Sequence, residues 1–177
     1  DVDLQGNDLN VWTYETTRKM VRYGHVGVLV DAPTSGQNGR PYWVTYTPRD
    51  ILGYRTEMIN GEVKLTQLRL QEKVSVPDGL YGEKIIDQIR LLTRGGFEIH
   101  QKGKNNLFVK VDEGTTSLDE IPFSIAYANR LNLLESRPPM SDIAELNLKA
   151  YQIQSDLDNQ LHISAVPMLA FYGFPQS

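Results

Sequence analysis

The side chains able to do chemistry in this 177-residue chain are few and scattered. His25, His100 and His162 lie far apart, and none has a second ligand at the spacing of a helical metalloprotease pair, so they read as strand-edge or loop-packing residues. The chain has no cysteine, which excludes a disulfide framework, a thiol nucleophile, a zinc finger and an iron–sulfur site. It has no Gly-x-Ser-x-Gly elbow, no phosphate loop ending in Lys-Ser/Thr, and no Gly-x-Gly-x-x-Gly after a strand. Gly36, Gly39, Gly95 and Gly96 read as turn glycines. Paired carboxylates do general acid–base work or glycoside cleavage when they share a cleft. The local pairs here, Asp119/Glu120 and Asp156/Asp158, are adjacent or two apart and do not face one cleft together, so they read as solvated charge. One basic cluster remains, Arg18, Lys19 and Arg22. Arg18 and Arg22 are one helical turn apart, and the three form a candidate subunit or DNA contact. No residue is assigned a catalytic, cofactor-binding or metal-binding role.

The elements that position these groups follow from periodicity. Leu9, Trp12, Thr16, Met20 and Tyr23 step by three or four, which predicts a helix over Asp8–Tyr23, with Asn7 or Asp8 as its cap and Gly24 as its stop. Val26, Val28 and Val30 alternate, with Leu29 on the other face, so His25–Asp31 is a strand ended by Pro33. Thr34–Arg40 is a polar loop, Tyr42–Tyr46 a strand, and Thr47-Pro48-Arg49-Asp50 the start of a short helix. Asn60-Gly61 is a hairpin turn between Tyr54–Ile59 and Glu62–Gln71. A change in the parity of the apolar positions predicts a bulge or a bend near Thr66-Gln67. Val74–Gly82 reads as a loop. Lys84–Thr93 and Phe97–Gln101 flank a turn at Arg94-Gly95-Gly96, and Gly103–Asn106 turns into Leu107–Val111, which completes an antiparallel meander. Asp112–Ser117 is loop and Ile121–Tyr127 a strand. After Pro138-Pro139, a helix capped by Ser141 spans 141–160. Ile143, Leu146, Ala150, Ile153, Leu157 and Leu161 step by 3, 4, 3, 4 and 4, and Met140, Ala144, Leu148 and Tyr151 widen that stripe, so much of this helix is expected to be buried. A last strand, His162–Tyr172, is broken by Pro167.

The order of elements is α+β: an antiparallel β-meander with hairpins, packed with an N-terminal helix and a long C-terminal helix. Composition agrees with a folded domain, at 40% hydrophobic and 23% charged residues. The formal net charge of −4 disfavours a free-standing nucleic-acid binder. No apolar run has the length of a membrane span, and the N-terminus has no signal-peptide pattern. The start at Asp1 and the stop after an apolar stretch read as a piece of a longer chain or a processed product.

The long helix and its continuation carry a pattern: Pro138-Pro139-x-x-Asp142-x-Ala144-x-Leu146-Asn147-x-x-x-Tyr151, then Asp156-x-x-Asn159-x-Leu161-His162, then Pro167. It resembles a family of uncharacterised phage and prophage structural proteins regarded as portal-like. Gly24–Asp31, Arg40-Pro41-Tyr42 with Tyr46, Ile51, Tyr54-Arg55 and Asp119–Phe123 fall in the family's order. Tyr54 stands where Trp is frequent in the pattern, and Ala165 where Gly is common.

The resemblance implies that residues 1–177 form a single portal wing-like domain, a fragment from the middle of a longer subunit. It implies a non-enzymatic virion component with no cofactor. The intact chain is expected to form a homo-oligomeric ring at a capsid vertex, through which DNA passes without sequence-specific binding. Terminase motor, capsid and head-completion proteins are the implied partners. The virion, and the host cytoplasm during assembly, are the implied locations, with no membrane. Net negative charge is compatible with DNA that slides rather than adheres. The 177-residue piece itself is expected to be a monomer or small oligomer. A head–tail adaptor or other phage structural protein is the alternative, and a hydrolase using acidic residues a more distant one.

Overall fold

The computed structural model describes residues 1–32, 39–103, 105–165 and 173. The fold is α+β, and by internal contacts the chain divides into two compact units, Asp1–Pro139 and Met140–Ser177.

The first unit opens with α1, Leu9–Tyr23. The Asp8 carboxylate accepts from the Val11 N–H at 2.8 Å, which satisfies one of the free donors of the first turn. Gly24 stops the helix at φ +88°, with its N–H on the Met20 carbonyl. Trp12 of α1 packs on Trp43, ring centroids 4.8 Å apart. Three strands follow from the apolar alternation: β1 (His25–Asp31), β2 (Tyr42–Tyr46) and, much later, a strand at Phe123–Tyr127. β1 is central and antiparallel to both neighbours, so it is the most buried of the three.

The second sheet is a five-stranded antiparallel meander: β3 (Ile51–Ile59), β4 (Glu62–Asp78), β5 (Gly82–Thr93), β6 (Gly96–Lys102) and β7 (Phe108–Thr115). Asn60 at φ +53° and Gly61 at φ +81° make the tight turn expected there. The predicted bulge is present: Arg55 pairs with Gln67 and Thr56 with Leu65, so Thr66 is the extra residue. The strand at Phe123–Tyr127 is then β8, and two short strands, β9 (Arg130–Asn132) and β10 (Glu135–Ser136), complete the unit. Leu29 and Tyr46 of the first sheet meet Leu68, Leu70 and Leu92 of the second in one core, closed by Ile121 and Leu134.

Several sequence expectations need correction. Residues 47–50 are not a helical start but a single turn closed by Asp50 N–H on the Thr47 carbonyl. The cap runs in reverse, with the Asp50 carboxylate accepting from the Thr47 N–H and hydroxyl. Val74–Gly82 is not a loop. β4 pairs with β5 out to Asp78↔Gly82, and the turn is confined to residues 79–81. β3 reaches only Leu70 of β4, so Pro77 sits where β4 has one neighbour, a position that tolerates its missing N–H. β7 likewise runs to Thr115, through residues read as loop.

The second unit holds α2, Ser141–Ser164. Met140, not Ser141, is the N-cap, without a side-chain capping bond. The helix absorbs His162–Ser164, which were expected to begin a strand, Ala165 is a turn residue, and positions 166–172 of that expected strand lie outside the described residues. The expected burial is absent: no residue of α2 is buried, and its apolar side chains from Ile143 to Ile163 are 46–72% exposed.

Candidate functional site

The side chains that sequence reading singled out are dispersed. Arg18 is an exposed partner of Glu15, 3.6 Å away. Lys19 points elsewhere and donates to the Thr45 hydroxyl at 2.9 Å. The Arg22 guanidinium lies 5.3 Å from the Tyr23 ring centre, and Arg49, remote in sequence, stands 6.0 Å from the same ring. The basic group therefore includes Arg49, which helix spacing does not reveal. His25 is buried, with Nδ1 2.7 Å from the Ser136 hydroxyl, and burial holds its pKa below the usual imidazole value. His100 pairs with Glu98 at 2.9 Å, and His162 is exposed on α2. Among the described residues no three His, Asp or Glu side chains converge on a metal-sized site. Glu120 is taken up by Lys64, and the Asp119 carbonyl accepts from Arg94 Nε at 2.9 Å. Asp158 accepts from Gln154 one turn earlier on α2.

The densest polar constellation is one that sequence reading missed. Arg90 on β5 reaches across to Asp31 on β1 at 2.6 Å. Its Nε lies 2.9 Å from Glu72 on β4, close enough for an ion pair but out of line for a hydrogen bond. The Tyr42 hydroxyl donates to Asp31 at 3.1 Å, and the Tyr46 hydroxyl to Glu72 at 2.5 Å. The Gln88 amide donates to the second Glu72 oxygen at 2.7 Å, and Gln101 donates to Gln88 at 2.9 Å. Arg90, Asp31 and Glu72 are only 14–18% exposed, so each charge depends on the others.

Electrostatics describe a clamp. Burial works against the Arg90 charge, but Glu72 and Asp31 outweigh it and hold the guanidinium protonated more firmly than usual. Burial and then the Glu72 charge push the Tyr46 hydroxyl far above the ordinary phenol value; burial and Asp31 push Tyr42 the same way. Donors fill both carboxylates, so the network ties the three-stranded sheet to the meander. A cleft of about 490 Å³ opens beside it, lined by Leu29, Leu92, Phe97 and Ile121. Its acidic groups are engaged: Asp31 by Arg90, Glu113 by Lys110 at 2.7 Å, and Asp112 by the Glu113 N–H at 2.9 Å.

α2 presents the opposite situation. Ile143, Leu146, Ala150, Ile153, Leu157 and Leu161 form one apolar stripe, and all six are exposed among the described residues. Among the described residues no helix is long and apolar enough to cross a membrane.

The comparisons point to the same segment. The family described as Domain of unknown function (DUF4055) matches residues 139–177. The matched segment begins at the boundary between the two units and contains all of α2. No curated protein matches the chain.

Proposed function

We propose that this chain is a non-enzymatic virion structural protein, part of a portal-type ring at a capsid vertex through which DNA is packaged and ejected. The observation that carries the reading is a coincidence of place. The motif from Pro139 to Tyr151 and its continuation to Leu161-His162 fall inside the DUF4055 match, and the helix of that segment carries an apolar stripe that is exposed among the described residues. A subunit that completes itself only on assembly has this character. Three further observations support the assembly role. The polar network is spent on joining two sheets. The net charge of −4 suits a wall past which DNA slides. The exposed Arg18, Arg22 and Arg49 give the α1 end a candidate contact to a neighbouring subunit or to DNA.

Negative-stain microscopy of the intact subunit tests this reading. Rings with a central hole are expected. A monodisperse monomer or dimer, at concentrations where rings of this kind assemble, would overturn the ring and favour a head–tail adaptor.

A further inference from the structure

We propose that the apolar stripe of α2 is covered by the α2 of a second copy of this chain, running antiparallel about a two-fold axis. The stripe steps by 3, 4, 3 and 4 from Ile143 through Leu146, Ala150 and Ile153 to Leu157, which is the seam pattern of paired helices. Leu161 extends it, and the whole face is about 27 Å long at 1.5 Å per residue. All six side chains are exposed in the single chain.

Two features of the helix select an antiparallel second copy. The first is the small residue at the centre. In a parallel pair in register, Ala150 faces Ala150 and leaves a gap in the seam. In an antiparallel pair centred on the stripe, Ala150 faces Ile153 of the second copy and Leu146 faces Leu157, so small meets large twice by symmetry. The second feature is charge. Lys149 and Asp156 border the same side of the stripe, seven residues apart, and neither makes an ion pair among the described residues. The antiparallel arrangement sets Lys149 of each copy beside Asp156 of the other, again twice. The parallel arrangement sets Lys149 beside Gln154 and Asp156 beside Leu161, with no charge pair. Antiparallel packing also brings each helix N-terminus to the other's C-terminus, which the macrodipoles favour.

One helix face is smaller than the roughly 800 Å² per partner of a standard interface, so the pair forms reversibly and its population rises with concentration. The pair is isologous, whereas a ring uses heterologous faces, so a stripe covered in this way is withdrawn from ring closure and a ring rests on other surfaces; sedimentation of this chain reads the pair, and microscopy of the intact subunit reads the ring.

The 177-residue chain itself is the test object, by sedimentation and by cysteine cross-linking, which its lack of native cysteine makes clean. A reversible monomer–dimer equilibrium is expected. Leu146→Glu, at a position 65% exposed in the single chain, is expected to abolish it without unfolding the protein. Lys149→Asp is expected to weaken it about 2- to 10-fold, and Lys149→Asp with Asp156→Lys to restore it. The double variant Leu146→Cys/Leu157→Cys is expected to form an intermolecular disulfide, while each single variant does not. A chain that stays monomeric at all concentrations overturns the proposal. So does cross-linking by a single variant, which signals a parallel pair, and so does an oligomer indifferent to Leu146→Glu.

Discussion

Removing the guanidinium at position 90 is the sharpest test of how the first unit is held together. Arg90→Met keeps most of the aliphatic stem and deletes the charge. Asp31 and Glu72, 18% and 14% exposed, then face each other's sheets as carboxylates without a cationic partner. Breaking a buried ion pair from one side costs about 3–5 kcal/mol. The residual exposure of all three groups lets water compensate in part, so we take about 3 kcal/mol. For a unit of this size that lowers Tm by roughly 10 °C. Urea unfolding followed by tryptophan fluorescence reads this unit directly, because Trp12 and Trp43 both lie in it and pack together. Arg90→Lys is expected to fall between wild type and Arg90→Met, since one ammonium does not span both carboxylates as the guanidinium fork does. The triple variant Asp31→Asn/Glu72→Gln/Arg90→Met is expected to recover part of the loss, because the stranded charges go with their partner. A loss below about 1 kcal/mol for Arg90→Met would refute the clamp and assign the network to ordinary solvated surface pairs.

Three further predictions concern the same unit. Gly27→Ala places a methyl against the Phe123 ring in the core between β1 and β8, and overpacking there is expected to cost about 2–3 kcal/mol in the same urea assay. His25 has its folded-state pKa lowered by burial, so its neutral form is the one the fold accepts. The unfolded chain takes up that proton first; stability is full above about pH 6.5 and falls as pH drops below it, and His25→Asn is expected to flatten that slope. Tyr46→Phe removes the hydroxyl that donates to Glu72 and is expected to cost about 1.5–2 kcal/mol at neutral pH. The raised Tyr46 pKa adds an alkaline limit: stability is full below about pH 10 and falls above it as the unfolded phenol ionises. The Phe variant should lose that part of the alkaline slope.

The elements written in local signals were legible in the sequence. The cap at Asp8, the stop at Gly24, the Asn60-Gly61 turn and the Thr66 bulge each rest on a few neighbouring residues, and all are present. Long-range pairing was not legible to the same degree. Pro77-Asp78-Gly79 has turn chemistry, yet the twelve paired positions between β4 and β5 carry the ladder to its end. The Asp31–Arg90–Glu72 clamp was missed because its members are 18 to 59 positions apart, but a signal existed. Leu68, Leu70 and Glu72 share one face of β4, and Leu92, Arg90 and Gln88 share one face of β5. A charge that continues a core-facing alternation must find a partner of opposite sign on the facing layer. The α2 stripe was read correctly as apolar. Its expected burial failed because periodicity tells which residues seek cover and says nothing about which molecule supplies it.

That contrast locates where the chain has work left to do. In the first unit the buried polar groups are spent on one another: His25 on Ser136, Tyr46 on Glu72, Arg90 on two carboxylates. In α2 the balance is reversed. The helix spends 24 residues on presenting leucine and isoleucine to water, at a cost of about 0.8 kcal/mol for each methylene that another surface would cover. The segment that the DUF4055 model matches contains this exposed stripe, and changes to Leu146 or Ile153 are expected to register in self-association rather than in folding.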